Sequence, residues 1–159
     1  MNFYYPNFQN DFWRIMGIVF HESPDFFIIK GKKLFNELLI RAFCEENGIA
    51  ISDTAKSVIR QNCNASDNNL SIVEPMNIQK LLTEIPECKT VVTTGQKATT
   101  ILSEIFVTKE PQLTESICLN FSDRDIQWFR MPSTSRAYPK PLFEKAEAYK
   151  NLFQTIYSD

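Results

Sequence analysis

Two stretches of this 159-residue chain hold side chains of the types that do chemistry. The first is Asn2-Phe3-Tyr4-Tyr5-Pro6-Asn7-Phe8-Gln9-Asn10-Asp11-Phe12-Trp13, half of it aromatic with amides between the rings. An ordinary N-terminal segment is polar and frayed. Flat rings with side-chain amides are what a pocket needs to stack on a planar base and hydrogen-bond its edge. On composition alone, simple core burial of Phe3, Tyr5, Phe8, Phe12 and Trp13 is the stronger reading. The second stretch, Pro132-Ser133-Thr134-Ser135-Arg136, supplies small hydroxyls, backbone donors and one guanidinium. Such groups grip phosphates without reading sequence, although a Ser/Thr/Pro surface turn is the simpler account of the stretch by itself. Lys140 adds positive charge nearby.

The totals bound the choices. One domain spanning residues 1–159 is expected from the length, and it is large enough for a sizeable core. Hydrophobic content of 43% and charged content of 23% are ordinary globular values. A formal net charge of −2 does not favour nucleic acid as a partner, but a local basic face is all such a partner requires. Cys44, Cys63, Cys88 and Cys118 form no C-x-x-C pair, and the single histidine, His21, lies near none of them. Neither a zinc site nor a Cys–His nucleophile pair is expected. Scattered thiols without a signal peptide suit a reducing cytoplasm, and no apolar run approaches the length of a membrane span.

The elements that must position the two stretches follow from periodicity. Asn10 or Asp11 caps a first helix whose apolar face is Phe12, Trp13, Ile15, Met16 and Val19. His21 to Lys30 reads as a loop. Lys32 or Lys33 to Asn47 reads as an amphipathic helix through Phe35, Leu38, Leu39, Ala42 and Phe43, closed by Gly48. Residues 49–54 read as a short buried strand. Its carboxyl end would carry Asp53 as a candidate catalytic carboxylate and Thr54 as a candidate base-binding hydroxyl, with a plain turn-capping role equally open for Asp53. Ser57 to Asn69 reads as a polar loop.

Further along, Asn77 to Ile85 is expected as a helix stopped by Pro86, and residues 89–94 as a β-branched strand turning at Gly95 into another helix. No glycine-rich phosphate loop or dinucleotide fingerprint is present. Residues 116–121 and 126–131 read as strands about the turn Ser122-Asp123-Arg124-Asp125. A closing helix from Leu142 to Tyr157 turns Leu142, Ala146, Tyr149, Phe153 and Ile156 inward. Strands alternating with helices predict an α/β fold, a three-layer α/β/α sandwich with a short mainly parallel sheet.

Phe3-Tyr4-Tyr5 followed by Asn10-Asp11-Phe12-Trp13-Arg14 resembles the "FYY…N-x-F-W-R" segment of the uracil-DNA glycosylase superfamily, closest to its mismatch-specific and hypoxanthine-type branches. Met131-Pro132-Ser133-Thr134-Ser135 is similar to that family's lesion-side loop. The resemblance implies a monofunctional glycosylase that hydrolyses the N-glycosidic bond of a deaminated base, uracil or hypoxanthine, flipped out of DNA. It implies that Tyr5 stacks on the extruded base, that Phe3 shapes the pocket wall and that Asn10 is catalytic. A side-chain amide suits stabilisation of a departing anionic ring, and a helix cap remains the competing role for Asn10. Ser133, Thr134, Ser135 and Arg136 would hold the DNA backbone. A comparable "S-x-D" loop follows the 49–54 region in the family, which assigns Asn64 and Ser66 to DNA as well.

No lysine lies within the opening aromatic segment or the core of the Pro132 loop, so no Schiff-base step is expected. No cofactor and no metal are expected. The implied partner is DNA containing a damaged base, handled by a cytoplasmic monomer with no membrane attachment. Two departures stand out. The family's opening strand and glycine loop have no counterpart ahead of Asn2, which predicts a sheet short of one strand. Met131 also replaces the histidine that precedes this proline in the uracil-specific enzymes. A catalytically inactive nucleic-acid-binding relative and an unrelated small-molecule-binding α/β domain are the alternatives.

Overall fold

The computed structural model describes residues 3–60 and 70–158. Asn64 and Ser66 therefore lie outside the described residues. The chain is mixed α/β, in the order α1 (Phe12–His21), α2 (Glu37–Glu46), β1 (Ala55–Arg60), β2 (Leu70–Pro75), α3 (Ile78–Glu84), β3 (Thr90–Thr94), α4 (Gln96–Phe106), β4 (Ser116–Phe121), β5 (Arg124–Met131) and α5 (Leu142–Tyr157). It divides into two compact units, one made of Met1–Ser52 with Thr134–Asp159 and the other of Asp53–Ser133. No helix among the described residues is long and apolar enough to cross a membrane.

The first unit is helical. The apolar face of α1 buries Phe12, Trp13, Ile15 and Met16, and α5 packs on α1 through Ala146, Tyr149 and Leu152. Rings fill the space between: Trp13 meets Phe27 edge-on at 5.6 Å, Phe27 meets Phe43 at 5.1 Å, and Phe20 bridges Phe43 and Phe153 at 4.9 Å each. Edge-to-face packing of this kind adds to what area burial already contributes.

Helix α2 begins at Glu37, later than its periodicity suggests. Residues 28–35 fold into a tight loop instead, with Ile28 bridged to Phe35 and the Ile29 N–H donating to the Leu34 carbonyl at 2.9 Å. Asn36 then caps α2 by accepting the Leu39 N–H at 3.2 Å. Phe35 is buried outside the helix, while Leu38 inside it is 81% exposed.

The expected strand at residues 49–54 does not form. The Ile49 N–H donates to the Cys44 carbonyl at 2.9 Å and the Gly48 N–H to the Glu45 carbonyl at 3.3 Å, with Gly48 at φ +63°. That is a helix-ending Schellman pair, and it takes the donors with which a strand would open. The ladder starts further on, at Ala55. The expected loop at 57–69 is likewise corrected at its start, since β1 runs on to Arg60 and pairs antiparallel with β2 from Ala55↔Pro75 to Arg60↔Leu70; the rest of that expected loop lies outside the described residues.

The second unit holds this hairpin and a three-stranded sheet of order β3-β5-β4. β3 runs parallel to β5 from Thr90↔Gln127 to Thr94↔Met131, and β4 runs antiparallel to it from Ser116↔Phe129 to Phe121↔Arg124. The antiparallel pair follows from the turn. Ser122 and Asp123 both take positive φ, as two-residue hairpins with the right twist require. Leu82, Leu102, Leu119, Ile126 and Trp128 form the core against this sheet. Within it, the Trp128 indole N–H donates to Thr93 Oγ1 at 3.0 Å, and Thr93 bonds Thr99 at 3.0 Å. The Arg124 guanidinium closes the end of α3 by donating to the Leu82 carbonyl at 2.7 Å and to the Pro86 carbonyl.

Candidate functional site

The two motif stretches meet in the first unit. Asn10 and Ser135 form an isolated antiparallel bridge, and next to it the Asp11 N–H donates to the Thr134 carbonyl at 2.9 Å. Asn10 is half-buried. Its Oδ1 accepts the Phe12 N–H at 2.8 Å, so the side chain makes a tight turn into α1, and Asp11 at the cap position makes no side-chain cap bond. The helix-capping and catalytic roles of Asn10 are compatible. The cap consumes the amide's acceptor, whereas an anionic leaving base needs the Nδ2 donors.

Tyr5 is half-buried at φ +54° and stacks on Phe12 with centroids 4.4 Å apart and planes 18° from parallel. Left-handed backbone at a tyrosine is uncommon and costs energy that the surroundings must offset. Phe3 is half-buried nearby in sequence, and the Tyr4 carbonyl accepts the Trp13 indole N–H at 3.0 Å. That bond ties the aromatic segment to the buried face of α1.

Sequence reading singled out Arg136 but missed Arg14, Lys145 and the ionic role of Asp11 beneath this contact. Asp11 is 5% exposed, and its carboxylate faces three cations: Arg136 Nε at 3.0 Å, Arg14 Nη1 at 3.6 Å and Lys145 Nζ at 3.8 Å. Arg14 also donates to the carbonyls of Phe8 at 2.9 Å and Asn10 at 3.2 Å, and its guanidinium lies over the Phe8 ring at 4.2 Å. Arg136, partly exposed, donates to Gln9 Oε1 at 3.0 Å. Lys145 is 1% exposed and donates to the Ser135 carbonyl at 2.8 Å.

Burial lowers the Lys145 pKa, and Arg136 adds to the lowering while Asp11 opposes it. Burial lowers that of Arg14 as well, again with Arg136 adding and the carboxylates of Asp11 and Asp25 opposing. The signal for these residues was present in the chain. Asp11 and Arg14 sit within an otherwise apolar helix face, and Lys145 falls in the same stripe of α5 as Leu142, Ala146, Tyr149 and Leu152.

In the loop after β5, Thr134 is 2% exposed, Ser135 half-buried and Arg136 exposed. The loop is shaped by Ser135, whose carbonyl accepts the Tyr138 N–H at 3.1 Å and whose Oγ accepts the Ala137 N–H at 3.2 Å.

The remaining candidates belong to the second unit. Ser133 lies against Gly95, which turns β3 into α4 at φ +87°; a Cβ there would come within 3.2 Å of the Ser133 Cβ. Asp53 is exposed, with partial desolvation raising its carboxyl pKa, and Thr54 is half-buried with its carbonyl accepting the Met76 N–H at 3.0 Å. Both stand on the amino side of β1, which corrects their expected place at the carboxyl end of a strand. Among the described residues no group of acidic, cysteine and histidine side chains is arranged to hold a metal ion.

No protein-family model, curated protein or solved structure matches this chain.

Proposed function

We propose that the chain is a monofunctional DNA glycosylase that releases a deaminated base, uracil or hypoxanthine, from DNA. The observation that carries this reading is the Asn10–Ser135 bridge. Two segments at opposite ends of the sequence, each chosen for its chemistry, are paired at the residues proposed to act on the base and on the backbone. Asn10 would stabilise the departing ring through its amide donors. Tyr5 would stack on the flipped base, and Phe3 would shape the pocket wall. Ser135 and Arg136 would hold the phosphates on either side.

Release by water, without a covalent enzyme–sugar adduct, is favoured by the state of Lys145 beside Asp11. The Lys145 amine is buried and committed to Asp11 and the Ser135 carbonyl, whereas a Schiff-base lysine must present an unshared electron pair to the sugar. A three-layer α/β/α arrangement with a mainly parallel sheet, action as a cytoplasmic monomer, and independence of cofactor and metal belong to the same reading.

The test is base excision. Labelled oligonucleotides carrying uracil or hypoxanthine, single-stranded and paired, are incubated with the protein and cleaved at abasic sites by alkali. Release is expected, with Asn10→Ala slower by about 100-fold, the usual cost of deleting one donor to a developing anion. No release from any substrate sinks the enzyme reading, and full activity in Asn10→Ala sinks the assigned role.

A second reading is a nucleic-acid-binding relative without activity, in which Asn10 serves only the turn into α1 that its Oδ1 makes. Tight binding to abasic DNA without base release is its mark.

A further inference from the structure

Asp11 gathers cations from three separate places in the chain: Arg14 one turn along α1, Arg136 in the loop after β5, and Lys145 in α5. Asp11 and Lys145 are both buried, at 5% and 1% exposure. A pair taken this far out of water is costly to bury and is a poor device for stability alone. These same residues also hold the local backbone. The Asp11 N–H is bonded to the Thr134 carbonyl and Lys145 to the Ser135 carbonyl, the two loop residues that face the Asn10–Asp11 segment. Arg136 spans from the Asp11 carboxylate to Gln9.

We infer that Asp11 is a positioning residue: its carboxylate, shared by Arg14, Arg136 and Lys145, sets the register between Asn10 and the 134–138 loop. The amide proposed to meet the leaving base and the guanidinium proposed to meet phosphate are thereby held as one rigid group. Asp11 itself touches neither base nor sugar. The catalytic consequence rests on the glycosylase reading, while the geometric claim stands apart from it.

The experiment compares the full-length wild type with Asp11→Asn, Asp11→Glu and Arg136→Gln by amide hydrogen exchange and by base-release kinetics. Asparagine removes the charge, and glutamate keeps it but displaces it by one methylene. In both Asp11 variants the Asp11 and Tyr138 amides are expected to exchange about tenfold faster, while the Ile40 amide of α2 keeps its protection, because local opening is set by the contacts of the segment that opens. The same variants are expected to lose about 100-fold in kcat with KM changed much less, since misplacement of a reacting group by about 1 Å has that effect. Arg136→Gln is expected to raise KM more than it lowers kcat.

Unchanged exchange at Asp11 and Tyr138 in folded variants overturns the positioning role. So does wild-type kcat in Asp11→Glu, since a purely electrostatic contribution would be restored by the longer acid. If the wild type releases no base, the glycosylase reading fails and the exchange result alone decides the positioning claim. If Asp11→Asn does not fold, Asp11→Glu and Arg136→Gln decide it by the same amides.

Discussion

Deleting the carboxylate of Asp11 and deleting the ammonium of Lys145 should have very different consequences, although both break the same 3.8 Å pair. Asp11→Asn leaves the Lys145 amine, 1% exposed, and the Arg14 guanidinium, 6% exposed, without the anion that compensates their burial. Removing one partner from a buried pair costs about 3 to 5 kcal/mol. The asparagine oxygen still accepts a hydrogen bond, which puts the expected loss near the lower end, about 3 kcal/mol. Lys145→Met removes a cation that was costly to bury and leaves a flexible apolar chain in the stem's place. Asp11 keeps Arg136 at 3.0 Å and Arg14 at 3.6 Å. The Ser135 carbonyl loses one charge-assisted bond worth about 2 kcal/mol, offset in part by the relieved desolvation, for a net cost of about 1 kcal/mol. The double variant should be more stable than Asp11→Asn alone, because no uncompensated lysine remains. Urea unfolding followed by circular dichroism gives all three numbers. A Lys145→Met loss equal to or larger than that of Asp11→Asn, or a double variant that is the sum of the two, would refute the assignment of the carboxylate as the hub.

Two further outcomes rest on the same buried charges and on the turn at Gly95. The Lys145 pKa is lowered from 10.5, chiefly by burial, so between its folded pKa and 10.5 the unfolded chain holds a proton that the folded chain has released. Stability of the wild type relative to Lys145→Met should therefore rise with pH as that window is entered. Thermal melts of both proteins are best compared below pH 10, where the buried Tyr149 phenol, raised well above that value, contributes nothing to the difference; a flat or falling difference contradicts the shift. Gly95→Ala places a side chain at φ +87° and within 3.2 Å of the Ser133 Cβ; it should cost about 2 kcal/mol, read in the same urea assay, and a neutral result would mean that the β3–α4 turn relaxes easily.

The readable parts of the fold were those where local pattern and tertiary packing agree. The strand β4 and the helix α5 stand where alternation and helical spacing put them, and Gly48 ends α2 as its type suggests. The failures have local causes of another kind. Residues 49–54 look like a strand because Ile49 and Ile51 alternate with small residues, but the Ile49 amide is already spent on the end of α2. Leu38 looks like core because it falls at helical spacing from Phe35, but the tight 28–35 loop holds Phe35 outside the helix, and that spacing has no meaning across the break. The charges of the candidate site were hidden differently. An acid and a lysine on apolar faces read as tolerated exceptions one at a time, and only their convergence from opposite ends of the chain makes them a unit.

That convergence also bears on the acidic balance of the chain, −2 overall. Average charge governs solubility and long-range association, whereas a phosphate meets only the charges beside it. Around Asp11 three cations meet its carboxylate, with the Asp25 carboxylate also acting on Arg14, so these groups together carry one more positive charge than negative. Two of those cations are buried, and Arg136 alone reaches the surface. Under the proposed reading, the buried pair would act on an incoming anion only through its field and through the orientation it gives Arg136. Fields of that kind weaken less with salt than surface contacts do, because the mobile ions that screen them stay outside. A site built this way would hold phosphate modestly and at a fixed geometry, which suits a residue that must align a backbone beside Asn10 better than one that must capture DNA from a distance.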